Sequence, residues 1–229
     1  MAKTTSTDLS TPRQLVLPGN LKQIAVAEIR RMIFARELQP GARIEQEAIA
    51  DQIGMSKIPV REALSALVAE GLVEMIPRRG AFVVPLTKQD VEDQYWLLAH
   101  ISGRAAELAT QKMTEDALDE LTALADAMER AATPSERQEL TFRFHSLINH
   151  AADAPRITAV LRILGSPIPV EFYESSPDTV ADVDAEHRAL LAAFRTRSSS
   201  AARSAMEQHF LGGAEYAIDA LEAQGFWND

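Results

Sequence analysis

The sequence predicts a mainly α protein in two parts: an N-terminal winged helix-turn-helix and a C-terminal antiparallel all-α helical bundle. Three observations predict it. The first third carries apolar stripes of helical period interrupted by a short turn centred on a glycine. Two β-rich runs flank a basic turn directly after it. From residue 87 onward only helical patterns joined by short polar loops are found. A length of 229 residues suits two small domains, and 46% hydrophobic residues give each enough for a core. The expected division is a flexible arm over residues 1–19, a winged helix-turn-helix over 20–86 and a helical domain over 87–229.

The elements follow in order. Residues 1–19 are polar and Ser/Thr-rich with no apolar segment, unlike a signal peptide, and no later stretch approaches the ~18 apolar residues of a membrane span, so a cytoplasmic protein is expected. Asn20 is a candidate N-cap for a helix from Leu21, with Ile24, Ala25, Ile29, Met32 and Ile33 on one stripe. Gln39-Pro40-Gly41 ends it, and Arg43-Ile44 is a short candidate strand. Gln46 to Ile53 makes about two helical turns. Gly54 supplies the turn, Ser56 the N-cap of the next helix, and Pro59 sits in its first turn, where a missing N–H costs nothing. That helix runs to about Glu70 and stops at Gly71. Leu72–Ile76 and Ala81–Val84 read as strands around the turn Pro77-Arg78-Arg79-Gly80.

This order points to DNA. The helix behind Ser56 would present its N-terminal turn to the major groove, with Ser56 and nearby backbone N–H groups suited to a phosphate. Lys57 and Arg61 share a face and suit a guanine edge or a phosphate; Arg78 and Arg79 on the wing suit the backbone or minor groove. The net charge of −10 does not oppose this, because residues 1–87 hold 11 Lys+Arg against 9 Asp+Glu and the acidity belongs to the second part.

The run from Gly54 through Ser56, Lys57, Ile58, Pro59 and Arg61 to Leu64, together with Leu38–Gly41, Glu70–Val73 and Arg79-Gly80-Ala81-Phe82-Val83, resembles the DNA-binding domain of the GntR family of bacterial regulators over roughly residues 20–85. The family's helix usually opens Ser-Arg-Thr-Pro. Here Lys57 replaces the Arg and Ile58 the Thr, so Ile58 is placed to meet a thymine methyl. The resemblance assigns Ser56, Lys57, Ile58, Pro59, Arg61, Arg78, Arg79 and Gly80 to the DNA-binding surface.

In the second part, Thr87-Lys88-Gln89-Asp90 has the form of a capping box. Helices are expected over about 88–111, 115–132, 134–152, 156–164, 179–196 and 200–223. Gly165 to Pro177, with three prolines, is either a kinked helix or a loop over a pocket. No Cys, phosphate-binding Gly loop, nucleophile elbow or H-E-x-x-H motif is present, and Glu186 is offset by about 100° from the face of His187, so no enzyme is expected. Three histidines lie on apolar stripes: His145 with Thr141 and Ile148, His187 with Leu190, Leu191 and Phe194, His209 with Ala205 and Tyr216. His187 and His209 stand about ten residues either side of a Ser-rich turn, which puts them level in an antiparallel pair at ~1.5 Å rise per residue. Converging neutral imidazoles suit a divalent transition metal.

Phe144-His145, Glu186-His187 with Leu190-Leu191 and Phe194, and Met206 to Phe210 resemble the FCD ligand-binding domain of the FadR subfamily over most of residues 90–220. The resemblance implies a homodimer on a pseudo-palindromic operator, a repressor relieved by a small metabolite such as an organic acid, and Zn or Ni on His145, His187 and His209. Two positions depart from it. Thr141 stands where the family has an acidic ligand, and Leu98 and Ser102 stand where it often has an Arg and a Glu. Arg104, Arg143 or the metal itself then remain to meet an effector carboxylate. Two alternatives follow from these departures: a metal-free regulator with a bulkier or acyl effector, and a constitutive DNA binder with a degenerate sensor.

Overall fold

The computed structural model describes residues 18–165, Ile168 and residues 177–227. The expectations for the N-terminal arm over 1–17 and for most of the segment Gly165 to Pro177 lie outside the described residues.

The N-terminal part comprises α1 (Pro18–Phe34), β1 (Arg43–Ile44), α2 (Gln46–Gln52), α3 (Lys57–Ala69), β2 (Val73–Ile76) and β3 (Gly80–Val83). Helix α1 begins at Pro18, ahead of the expected start at Leu21. Gly54, at φ +65°, turns the chain between α2 and α3 in a conformation that a side chain would strain. Ser56 occupies the N-cap position of α3 with extended backbone, but its hydroxyl makes no capping hydrogen bond. The sheet runs β1-β3-β2, fully antiparallel, pairing Arg43 with Phe82 and Val73 with Val83. Arg78 at the hairpin tip takes a left-handed φ of 63°. Ala25, Ile29, Val60, Leu64, Leu67 and Ala81 fill the core beneath, and Arg30 on α1 ties down Glu70 at the end of α3 at 2.6 Å.

The rest of the described chain is helical: α4 (Lys88–Lys112), α5 (Glu115–Glu129), α6 (Pro134–Ala151), α7 (Pro155–Leu164), α8 (Pro177–Arg195) and α9 (Ser199–Ala223). Their starts are written locally. Thr87 accepts from the Asp90 N–H while Asp90 accepts from the Thr87 N–H, a complete capping box. Thr114, Thr133 and Ser198 cap α5, α6 and α9 in turn. Helices α4 and α9 approach closely at small residues. A Cβ on Gly213 would lie 3.0 Å from the Tyr95 ring, and one on Gly103 only 2.6 Å from the Glu207 side chain. Phe144, Ile148, Leu121, Met128, Leu190, Phe194 and Met206 form the core of the bundle.

The two parts share apolar contact. Ala214, Ala217 and Leu221 from α9, with Phe226 beyond it, belong to one cluster with Ala25, Ile29 and Phe34. Phe226 stacks on Phe34 at 5.7 Å and its carbonyl accepts from the Arg36 guanidinium. Trp227 donates its indole N–H to the Leu86 carbonyl at 2.8 Å and lies under the Lys88 ammonium. The boundary expected at residue 86 is bridged in space, where the end of the C-terminal part packs on the winged helix.

Candidate DNA-binding surface and three-histidine centre

Lys57, Ile58 and Arg61 are all exposed on the first turns of α3. Ile58 keeps 61% of its surface in solvent, a large exposure for an aliphatic side chain. Lys57 forms an ion pair with Glu47 on α2, across the turn. Pro59 corrects the expected surface: it is buried, so it shapes the first turn of α3 rather than facing a partner. On the wing Arg78 and Arg79 are exposed, with Arg79 lying over the Phe82 ring at 5.3 Å. Gly80, at φ +103°, brings the hairpin close to the Arg43 guanidinium, which adds a cation near the wing that periodicity gave no reason to single out.

In the bundle, α6, α8 and α9 bring His145, His187 and His209 together. One ligand nitrogen from each lies within 4.8 Å of the others. The ring centroids of His187 and His209 are 4.8 Å apart, the level placement expected from their spacing about the α8–α9 turn. The Nε2 atoms of His145 and His209 are 3.2 Å apart. Two metal–nitrogen bonds of ~2.1 Å meeting at ~90–109° would put their nitrogens ~3.0–3.4 Å apart, so this pair fits a shared cation. The donor chemistry agrees. Both ring nitrogens of His187, which is 1% exposed, and Nδ1 of His145 are buried without a hydrogen-bond partner. Burial, reinforced by His209, pushes the His145 imidazolium well below its ordinary range. Burial, reinforced by His209, His145 and Arg137, does the same to His187, so both rings offer lone pairs.

Glu186 is the residue that sequence reasoning missed. Its carboxylate accepts the Nδ1–H of His209 at 2.8 Å, which fixes the tautomer and aims Nε2 at the cluster. The offset from His187 along α8 is real, yet that same offset points Glu186 towards α9. Thr141 lines the adjoining cavity but donates its hydroxyl to the Arg137 carbonyl at 2.9 Å, one turn back on its own helix. A contact of 3.2 Å with the Met128 sulfur accompanies it.

His145 and His209 open onto a cavity of about 2040 Å³ bounded by α4 to α9, while His187 lies behind them. Tyr95, Leu98 and Ser102 of α4 stand on its wall. Arg104 and Arg143 are not brought there. Arg104 pairs with Glu107 at 2.9 Å on the outside of α4, Arg143 is exposed, and neither lines the cavity. Its cations are instead Arg137 and Arg162. Arg137 is held by Asp184 through two hydrogen bonds, of 3.0 and 2.6 Å. Burial raises the Asp184 carboxyl despite that arginine.

A winged helix with exposed cations on α3 and the wing, joined to a helical body with a cavity open to solvent, defines a class: DNA-binding proteins with a sensor domain. The FCD domain matches residues 93–212, and the bacterial regulatory proteins of the gntR family match residues 21–83. The chain belongs to the GntR family of transcriptional regulators and carries an FCD domain. Among curated relatives, the Escherichia coli K12 repressor RspR is 26% identical over 190 residues, 79% of this chain and 82% of that one. The Bacillus subtilis regulator YdhC is 24% identical over 212 residues, 85% and 90% of the two chains. The solved structure of E. coli McbR/YncC superposes with a TM-score of 0.65 at 23% identity, covering 89% of this chain and 98% of that one. Lar of Listeria monocytogenes gives 0.60 at 18% identity, over 87% and 96%. Both structures share the fold. Among the described residues no helix is long and apolar enough to cross a membrane.

Proposed function

We propose that the protein is a cytoplasmic, ligand-responsive repressor of the FadR type. A homodimer would bind a pseudo-palindromic operator, and a small organic acid, bound in the helical domain at or near a transition metal on His145, His187 and His209, would modulate its affinity. The observation that carries this reading is the convergence of His145, His187 and His209, with unpartnered nitrogens on His145 and His187, in the same chain as an exposed candidate recognition helix. Zinc or nickel suits this donor set, with Glu186 as the outer carboxylate on His209. The metal would supply a positive centre for an anionic effector. Aromatic neighbours hold the imidazoles themselves: Phe144 packs edge-on against His187 at 4.9 Å, and Phe210 contacts the rings of His145 and His209. On DNA, Arg61 and Lys57 would face the major groove, while Arg78 and Arg79 would meet the backbone or minor groove. Binding of effector would favour one placement of the two DNA heads over another.

Two measurements test the two halves separately. Protein purified without chelators is expected to carry about one transition metal per chain, lost in His187→Ala. Absence of metal even after exposure to zinc or nickel selects the metal-free reading, which the engagement of Thr141 with its own helix favours. For DNA, a site selected from a random duplex pool is expected to lose ~1–3 kcal/mol of affinity in Arg61→Ala, with the thermal melt unchanged. Unchanged affinity would remove α3 from the contact surface.

A further inference from the structure

Not every cation on the proposed DNA surface is free to meet a phosphate. We infer that Glu47 is a specificity-determining residue: by holding Lys57 it withholds that ammonium from the DNA backbone and reserves it for base edges in the major groove. This rests on the DNA-binding reading of α3, and concerns how that surface tells one sequence from another.

The cations fall into two groups. Lys57, the first residue of α3, forms an ion pair with Glu47, the second residue of α2. Arg43 on β1 pairs with Glu45 at 3.2 Å. Arg61, Arg78 and Arg79 are exposed and have no carboxylate partner among the described residues. In a helix-turn-helix the first of the two helices crosses the DNA backbone. Glu47 lies in the first turn of that helix, so its carboxylate stands where phosphates would pass. An ammonium already paired with a carboxylate offers a phosphate little net charge and displaces few counterions there. Phosphate contacts carry no sequence information, so taking a cation out of that role lowers non-specific affinity and leaves base readout intact.

Stability does not explain the pair. Lys57 and Glu47 keep 63% and 74% of their side-chain surface in solvent, and ion pairs so exposed add little to folding. Apolar burial holds α2 to α3 instead: Ile49 and Ala50 share a core with Val60, Ala63 and Leu64. The Lys57 ammonium holds the Glu47 carboxyl below its ordinary range, so the acid is charged near neutrality. At equal distance a carboxylate and a phosphate attract an ammonium with similar strength, and the carboxylate is already in place.

The test is a double-mutant cycle on the full-length protein. The parent, Glu47→Gln, Lys57→Ala and the double variant each bind a random-sequence duplex over about 50 to about 200 mM salt. Glu47→Gln is expected to tighten binding and to steepen log K against log salt by about 0.9, so that its gain shrinks about threefold to fourfold across that range. Once Lys57 is Ala, Glu47→Gln is expected to change the slope little, and Lys57→Ala alone to keep the parent's slope. At the lower salt, Glu47→Gln is expected to reduce the preference for a selected site over the random duplex by at least about threefold. Thermal melts are expected to coincide, both side chains being exposed. Equal steepening in both backgrounds would mean that Glu47 repels the backbone directly, and a slope flatter by about 0.9 in Lys57→Ala alone would mean that Lys57 already serves a phosphate. Either result overturns the inference, as does an unchanged preference for the selected site. Loss of affinity for the selected site alone in Glu47→Gln also overturns it, and assigns Glu47 to a cytosine amino group. A parent that binds no duplex fails the DNA-binding reading itself, whereas the outcomes above fail this inference and leave that reading standing.

Discussion

His209 has a separate task for each ring nitrogen. Nδ1–H is held by Glu186, so Nε2 is left as a lone pair facing His145. His145 and His187 reach the same state by burial instead, which holds both imidazolium forms well below their ordinary range. This has a thermodynamic consequence for metal-stripped protein. The unfolded chain titrates near ~6.5, above the folded values, so it binds more protons wherever the two differ. The stabilisation is therefore complete above ~6.5 and is lost as pH falls below it towards the depressed folded values. The thermal midpoint of the stripped protein is expected to drop steadily between about pH 7 and about pH 5. A midpoint constant over that range would mean that these rings are not buried as neutral groups. At this scale His187 and His209 were legible from their spacing about the α8–α9 turn, and His145 from its apolar stripe together with the resemblance. Glu186 was not, because its partner is on another helix and the angle along α8 says only where it does not point. Arg104 went astray for a similar reason: the sequence offers a cation near the cavity helix, and Glu107 three residues on holds it outside.

The helices themselves were almost fully legible, and the reason is local. Thr87, Thr114, Thr133 and Ser198 each cap from one side chain to a backbone N–H three residues away, so the signal is contained in four residues. Pro134 and Pro155 in the first turns of α6 and α7 mark their starts in the same way. The pairing of α4 with α9 was not legible, since the glycines that permit it carry no partner information. At Gly213 the space is set by Tyr95, a buried ring with little room to retreat. Gly213→Val gains slightly in helix propensity but forces atoms into that contact, and the net expected loss is ~1–3 kcal/mol. A chemical denaturation midpoint at or above that of the parent protein would show that α4 and α9 can slide apart at this point.

At the scale of the whole molecule, the winged helix and the bundle are joined by more than the chain between Val84 and Thr87. Phe226 is buried against Phe34, the last residue of α1, and Arg36 just beyond it. Phe226→Ala is expected to cost ~3–5 kcal/mol and to make the Pro85–Thr87 connection a preferred site of limited proteolysis. Cleavage as slow as in the parent protein would show that the contact adds little to holding the two parts together. Such a contact spans almost the full length of the sequence, and no periodicity encodes it. The same helix that ends at this contact carries His209 in its middle. From His209 to Ala223 the helix rises ~21 Å, and an α-helix bends little over so few turns. It is therefore a lever arm. A tilt of only ~5° pivoting at the imidazole would swing the far end by ~2 Å, enough to oblige Phe34 and the head it belongs to either to follow or to let go.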